Sequence, residues 1–257
     1  MQLTVTFDAR ELTQGLERLF GQEVRTATMV AITRTAWDIK GTMQAQMPSI
    51  FNAPTPYTLR NSIFVKGATR SNLTATVGVT DNVFKGTPAI RFLGPEIYGG
   101  KRGHKGFEAR LQAGGKMPPG MYAVPATRLP KDAYGNVSRG LLQKILSDVG
   151  AQRDVLQRST ATSKGKRKRS RTKFARYYFS TWPTNARTAH LKPGIYERVL
   201  YGDKSTLQPA MIFTSAPHYR PRFKFFDIAS DRAKYALPFN FNVAMRQAIV
   251  RSRLRAT

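Results

Sequence analysis

A long run of helical periodicity that halts at prolines constrains this fold more than any other feature of the sequence. Met29, Ile32, Ala36, Ile39 and Met43 recur at three- and four-residue steps, which puts them on one face of a helix. Leu12, Leu16, Leu19, Phe20 and Val24 carry the same spacing further back, with Gly21 placed to kink or split the helix. Pro48 and the APTP stretch at Ala53–Pro56 are expected to end it, because proline removes a backbone donor and clashes with the preceding turn. Such a stripe is a core face and needs a surface to cover it. The segments LRNSIFVKGA and NLTATVGV supply one. Ile63 and Val65 alternate with polar neighbours, as do Leu73, Ala75, Val77 and Val79, and the intervening TRSN has turn chemistry, so the pair reads as an antiparallel hairpin. Leu3, Val5 and Phe7 alternate as a further short strand. The expected fold class is α+β: a long N-terminal helix packed on a small antiparallel sheet, with long ordered loops and a C-terminal helix.

The rest of the chain is less regular. Asn82–Pro130 is rich in Gly and Pro and has room for one short helix at most, near Gly106–Ala113. Ser138 is a suitable N-cap for a helix from Arg139 to Val149 that ends at Gly150. Gln152 to Lys173 is polar and basic and reads as a flexible insertion. Tyr177–Phe179, Tyr196–Tyr201 and PAMIFTSAP read as strands, and the last stretch as one or two helices, with Asn242 as N-cap of the final one. Arg251, Arg253 and Arg255 suit its C-terminal end. The organisation expected is a core over 1–150, a basic insertion over 151–176, and strands and a helix over 177–257 that complete the core or form an arm.

Charge narrows the partners. The formal net charge is +27, with 42 Lys and Arg against 15 Asp and Glu. Such an excess repels itself unless an anionic partner compensates it, which points to nucleic acid, an anionic membrane surface or acidic protein subunits. The 41% of hydrophobic residues is enough for a real core. No apolar run approaches the ~20 residues that span a bilayer, and MQLTVTFDARELTQ lacks the pattern of a signal peptide; no membrane partner is expected. Cysteine is absent, which excludes disulfides and thiolate chemistry. The densest positive charge is the run Lys164, Lys166, Arg167, Lys168, Arg169, Arg171, Lys173 and Arg176, with no acidic residue among them and with Phe174, Tyr177, Tyr178 and Phe179 alongside or following. Lys and Arg neutralise phosphates and aromatic rings stack on unpaired bases. The run either touches DNA or an acidic partner without reading sequence, or is a solvated loop, and the aromatics equally suit a strand whose rings enter the core.

Catalysis finds little support. His104, His190 and His218 lie in loops without metal-ligand spacing. Asp227 and Asp231 stand four apart, but Arg222, Lys224, Arg232 and Lys234 surround them, and ion pairing is the simpler account. GGKRGHKG lacks the order of a phosphate-binding loop. No enzymatic activity, catalytic residue, metal or cofactor is expected.

The order of these elements carries a resemblance. The helix containing RTAWDIK, the proline-marked break, Leu59, Ser62 and Ile63 at the entry to a strand, Pro125 and Ala126 closing a loop, and the Arg139–Val149 helix together resemble the tail-completion and head–tail joining (neck) proteins of tailed bacteriophages, the group that includes minor tail protein Z-like proteins. MYAVPATRLPKDAYGNVSRGLLQKILSDVGA is also similar to phage morphogenesis proteins. The likeness covers roughly residues 24–150. It implies a structural protein of the virion, assembled in the host cytoplasm as a hexameric or dodecameric ring at the neck, with portal or connector and tail proteins as partners. In such a ring the Asn82–Pro130 loops would embrace adjacent subunits through Phe92, Tyr98, Phe107 and Tyr122, because loops of this length have few roles in a monomer. The basic run would face genomic DNA or an acidic neighbour. The competing expectation is a non-specific nucleic-acid-binding protein that uses residues 164–176 as its arm.

Overall fold

The computed structural model of the protein describes residues 4–8, 21–84, 86–152, 176–180, 190–201 and 204–255. The chain forms two compact units. Unit one combines Met1–Gly100 with Tyr219–Thr257, and unit two is the continuous stretch Lys101–His218.

Unit one is built on α1, Gln22–Ile50. Val24, Ile32, Ala36, Ile39 and Met43 are buried along it, as the periodicity predicts, Met29 is half-buried, and Met47 extends the buried stripe. The helix begins after Gly21 and runs through Pro48 to Ile50, so Pro48 does not stop it. Leu12–Phe20 lie outside the described residues. Three threonines lie seven residues apart on α1, two of them buried and the third half-buried. Thr28, Thr35 and Thr42 each donate their hydroxyl to the carbonyl four residues back, at 2.8, 2.9 and 2.9 Å, which satisfies a polar group along a packed face. A short helix, α2 (Pro56–Asn61), follows; its N-cap is Thr55, which accepts from the Thr58 N–H. Leu59 therefore lies on a helical turn and not in the strand entry the sequence suggests. Strands β1 (Thr4–Asp8), β2 (Ile63–Lys66) and β3 (Thr74–Val79) form an antiparallel sheet in the order β1-β3-β2. Ile63, Ala75, Val77 and Val79 turn into a core shared with α1, with α3 (Ile90–Tyr98), and with Phe223 and Phe225. The last element is α6, a single helix over Phe225–Arg255 that contains Pro238. Asn242 sits inside it and caps nothing. The buried Asn240 instead donates to Thr35 Oγ1 at 3.2 Å and Asp38 Oδ2 at 2.8 Å on α1. Beyond that node Ala27 and Ala31 meet Ala244, small residues that suit close contact between two antiparallel helices.

Unit two holds a four-stranded antiparallel sheet in the order β5-β8-β7-β6, from β5 (Tyr122–Pro125), β6 (Arg176–Ser180), β7 (Gly194–Tyr201) and β8 (Lys204–Thr214). A bulge lies between Ile195 and Tyr196, where Pro209 stands opposite and supplies no ladder donor. Gly194 is required beside it, since a Cβ there would run into the Met211 carbonyl oxygen. Two helices cover the core, α4 (Gly106–Ala113) and α5 (Arg139–Asp148). Ser138 caps α5 as the sequence predicts, accepting from the Leu141 N–H at 3.3 Å. Leu111, Ile145, Leu146, Tyr177, Ile195, Met211 and Phe213 fill the interior. Two further strands of two residues, β4 (Gly100–Lys101) and β9 (His218–Tyr219), pair with each other.

The α+β class is what the sequence predicts, but the boundaries differ. A contiguous core over 1–150 does not match the two units, because β5 pairs with β8 and α6 packs along α1. The segment 82–130 holds two helices and two strands, more than the one short helix expected. Of the insertion read at 151–176, the described residues are structured at both ends, and Arg176 opens β6. Ala151 is buried and Gln152 donates to Gln143 Oε1 at 2.7 Å, while 153–175 lie outside the described residues.

Candidate functional site

The residues singled out from the sequence are a basic run that falls mostly outside the described residues and four aromatics that stand on described elements. Lys164, Lys166, Arg167, Lys168, Arg169, Arg171 and Lys173 lie outside the described residues, and Arg176 opens β6 in register with Arg198. The four aromatics assigned to interface loops stand on regular elements. Phe92 lies on α3, packs against the core of unit one and meets Tyr57 edge-on at 6.4 Å. Phe107 lies in the first turn of α4 against the core of unit two. Tyr122 is buried at the start of β5. Only Tyr98 of the four is substantially exposed, beside Phe226 with ring centroids 6.1 Å apart. Short helices let a Gly- and Pro-rich segment bury its own rings, so three of these four side chains are taken up within their unit.

The polar interior is organised by two glutamates. Glu108, at the third position of α4, is 1% exposed and accepts from Arg102 at 2.6 and 2.8 Å. The Lys105 N–H (2.7 Å) and the Ala123 N–H (3.1 Å) complete the set. The bond to Lys105 is the carboxylate arm of a capping box, and the bond to Ala123 ties α4 to β5. Tyr122 closes the cluster. Its hydroxyl donates to the Arg102 carbonyl at 2.8 Å, Arg102 lies over its ring at 4.7 Å, and His104 stacks on it at 4.4 Å. Burial alone would raise the Glu108 carboxyl. The Arg102 hydrogen bond and charge and the two backbone N–H groups outweigh burial and hold it below its ordinary value. Lys105 is pushed down by burial and by the nearby Arg102 charge. With each carboxylate oxygen accepting two hydrogen bonds, Glu108 has no lone pair left to take a substrate proton. It is a clamp.

Glu96 plays the matching part in unit one. Its carboxylate accepts from Arg222 Nε at 2.7 Å and the second guanidinium nitrogen at 2.8 Å. Its carbonyl accepts from the Arg222 and Phe223 N–H groups at 2.8 and 2.9 Å. The hydrogen bond to Glu96 holds Arg222 above its ordinary value. The chain turns tightly nearby: Gly99 has φ +77°, and a Cβ on it would meet Pro221 and the Tyr219 carbonyl at 3.1 Å. Arg222 was expected to neutralise Asp227 and Asp231, and Glu96 takes it. Asp231 instead lies 3.7 Å from Lys234, both exposed. The sequence signals for the two clamps are slight: a glutamate at the third position of a helix start for Glu108, and nothing local for Glu96.

Among the described residues no three His, Asp or Glu side chains stand where they could hold a metal ion. No described helix is long and apolar enough to cross a membrane. No family model matches the chain, and no curated protein and no solved structure does either.

Proposed function

We propose that this chain is a structural protein of a tailed-bacteriophage virion, which assembles as a ring at the head–tail neck around the DNA channel. The observation that carries the proposal is the junction α1–α2–β2–β3. Leu59 packs against the core there, Ser62 is buried with its hydroxyl on the Thr58 carbonyl, and Ile63 enters the core. These are the residues on which the resemblance to neck proteins rests, and all three build the joint between helix and sheet. The buried glutamates support the same reading, since each is bound to an arginine that holds the fold. The partners are further copies in a ring of six or twelve, the portal or connector, and tail proteins.

Mass photometry of the purified chain, alone and mixed with the portal and tail proteins of its own phage, tests this directly. A ring of six or twelve, or a stable complex with either protein, is expected. A strict monomer that joins neither overturns the proposal. The +27 charge favours one alternative, a free non-specific nucleic-acid-binding protein. That protein would stay monomeric and bind duplex DNA with a log–log salt slope of about −0.9 per phosphate neutralised.

A further inference from the structure

We infer that the exposed face of α6 is a docking surface for an acidic protein, one that offers an apolar groove rimmed by carboxylates. Arg232, Tyr235, Phe239, Arg246 and Val250 follow one another at three-, four- and seven-residue steps, which places them on a single stripe about 27 Å long. All five are exposed; Tyr235 shows 77% of its surface and Phe239 67%. The adjoining face, about a quarter-turn round the helix, is spent on packing, through Ala229, Ala233, Ala236, Asn240 and Ala244. An aromatic pair this open on a well-formed helix gains nothing for the fold, and it is the pattern by which a helix anchors in a groove.

The charges decide the occupant. The helix's two acids, Asp227 and Asp231, lie at its start, with Asp231 3.7 Å from Lys234; from Arg232 to Arg255 its six charged residues, Arg232, Lys234, Arg246, Arg251, Arg253 and Arg255, are all positive, and five of them are left for a partner's carboxylates. A second copy using the same face would set this array against itself, at a cost. Duplex DNA would satisfy the arginines, but its bases are stacked inside the helix, leaving Tyr235 and Phe239 without rings to cover and Val250 without a contact. A protein groove lined with apolar side chains and edged with Asp and Glu satisfies both components. The inference stands on the helix face alone and does not require the neck assignment; under that assignment, an acidic neighbouring subunit is the form the partner takes.

The test uses the full chain and three immobilised probes at about 0.15 M salt: a glutamate–tyrosine copolymer, polyglutamate, and mixed-sequence duplex DNA. The copolymer should bind about tenfold more tightly than polyglutamate. Tyr235→Ser with Phe239→Ser should remove that preference and leave polyglutamate and DNA binding unchanged, whereas Arg232→Gln with Arg246→Gln should weaken both acidic polymers. Thermal melts verify folding, and if the serine pair melts early, Tyr235→Ser alone carries the test. A missing preference, or one that survives the serine pair, overturns the inference. So does loss of DNA affinity in the serine pair, which would make the face a nucleic-acid platform. A wild-type oligomer that the serine pair dissolves would assign the face to a second copy and overturn it equally.

Discussion

The two units each hold a glutamate against an arginine, over different spans and in different surroundings. Glu96 and Arg222 are 126 residues apart, and the Arg222 side chain is 51% exposed. Arg102 and Glu108 are six residues apart, and their side chains are 13% and 1% exposed. The first pair closes a unit assembled from both ends of the sequence, where the packing of α1 against α6 and the sheet already carries most of the burial. The second organises a helix start and ties it to a strand inside a unit made of one continuous segment. The units also differ in charge. Unit two has 23 basic and 6 acidic residues, net +17, and unit one has 19 and 9, net +10. Both carboxylates are buried, Glu96 at 11% and Glu108 at 1%, but only the arginine of the more positive unit is buried with its partner. An exposed pair contributes little and a buried one is costly to break, so the two glutamates should fail in different ways.

Glu108→Ala is the largest test of that difference. It strips Arg102 of its counter-charge and leaves the Lys105 and Ala123 N–H groups without their acceptor, and breaking a buried pair in this way costs about 3–5 kcal/mol. Thermal unfolding should show the loss. Hydrogen exchange should place it in β5, β8 and α4 while the amides of α1 and α6 stay protected. Equal loss of protection in both units would mean that they unfold as one, and the comparison would collapse. The same residue sets an acid limit. Its carboxyl is held below the ordinary value in the folded chain, so the stability it contributes is complete above the unfolded carboxyl pKa and disappears as pH falls through the folded one. Glu108→Gln should flatten that part of a melting profile taken downward from pH 7.

Unit two should have an alkaline limit as well. Burial, with Glu197 and Asp148 nearby, pushes the Tyr177 hydroxyl from 10.0 up to about 12. A folded pKa above the unfolded one gives a contribution that is complete below pH 10 and is lost between about 10 and 12. Tyr177→Phe should make melting between those values less dependent on pH. An unchanged profile would show that the ring does not titrate against the core of unit two.

Periodicity made part of this architecture legible. The stripe on α1, the β2–β3 alternation and the Ser138 cap are local patterns, and each element stands where its pattern puts it. The rest depends on contacts distant in sequence. Nothing near Tyr122 says that β5 will pair with β8, and nothing near Phe225 says that α6 will lie along α1. The last stretch reads as one or two helices, yet one helix runs through Pro238, because the packing of Ala236, Asn240 and Ala244 outweighs one missing hydrogen bond. Asn242 looked like a cap, and the asparagine that matters is Asn240, two residues earlier, bonded to Thr35 and Asp38 about 200 residues away. The two glutamates read as scattered acids for the same reason. Each is defined by its arginine, and only the spacing of Arg102 and Glu108 was short enough to have been noticed.

Arg222→Ala sharpens the comparison from the other side. The side chain is half in water, so the pair with Glu96 contributes only part of what a buried one would. It also lies over the Phe51 ring at 5.7 Å, which adds a modest cation–π contact. The loss should be about 1 kcal/mol, seen as a small fall in melting temperature, with exchange increasing around α3 and the start of α6. A loss as large as that of Glu108→Ala would mean that Arg222 and Glu96 form the buried hinge of unit one and would erase the distinction between the two pairs.

The smallest effect belongs to Asp231. Its partner Lys234 is three residues away on α6, 3.7 Å distant, and both side chains are largely in water. Solvent screens such a pair and the ordering of two long side chains offsets much of what remains. Asp231→Asn should therefore leave the melting temperature unchanged, within about 0.5 kcal/mol, even though Asp231 lies only nine positions from Arg222. The contrast is local: just before α6 the arginine that reaches back to Glu96 contributes to stability, and the acid that stays on the helix does not. The variant also tests the chemistry of this stretch. Asp227 and Asp231 are the acids whose spacing could suggest a catalytic or metal-binding pair, so nuclease assays with divalent metals should give the same blank result for the wild type and for Asp231→Asn. Metal-dependent cleavage by the wild type that vanishes in the variant would return the α6 carboxylates to a catalytic role and remove the basis for a structural protein.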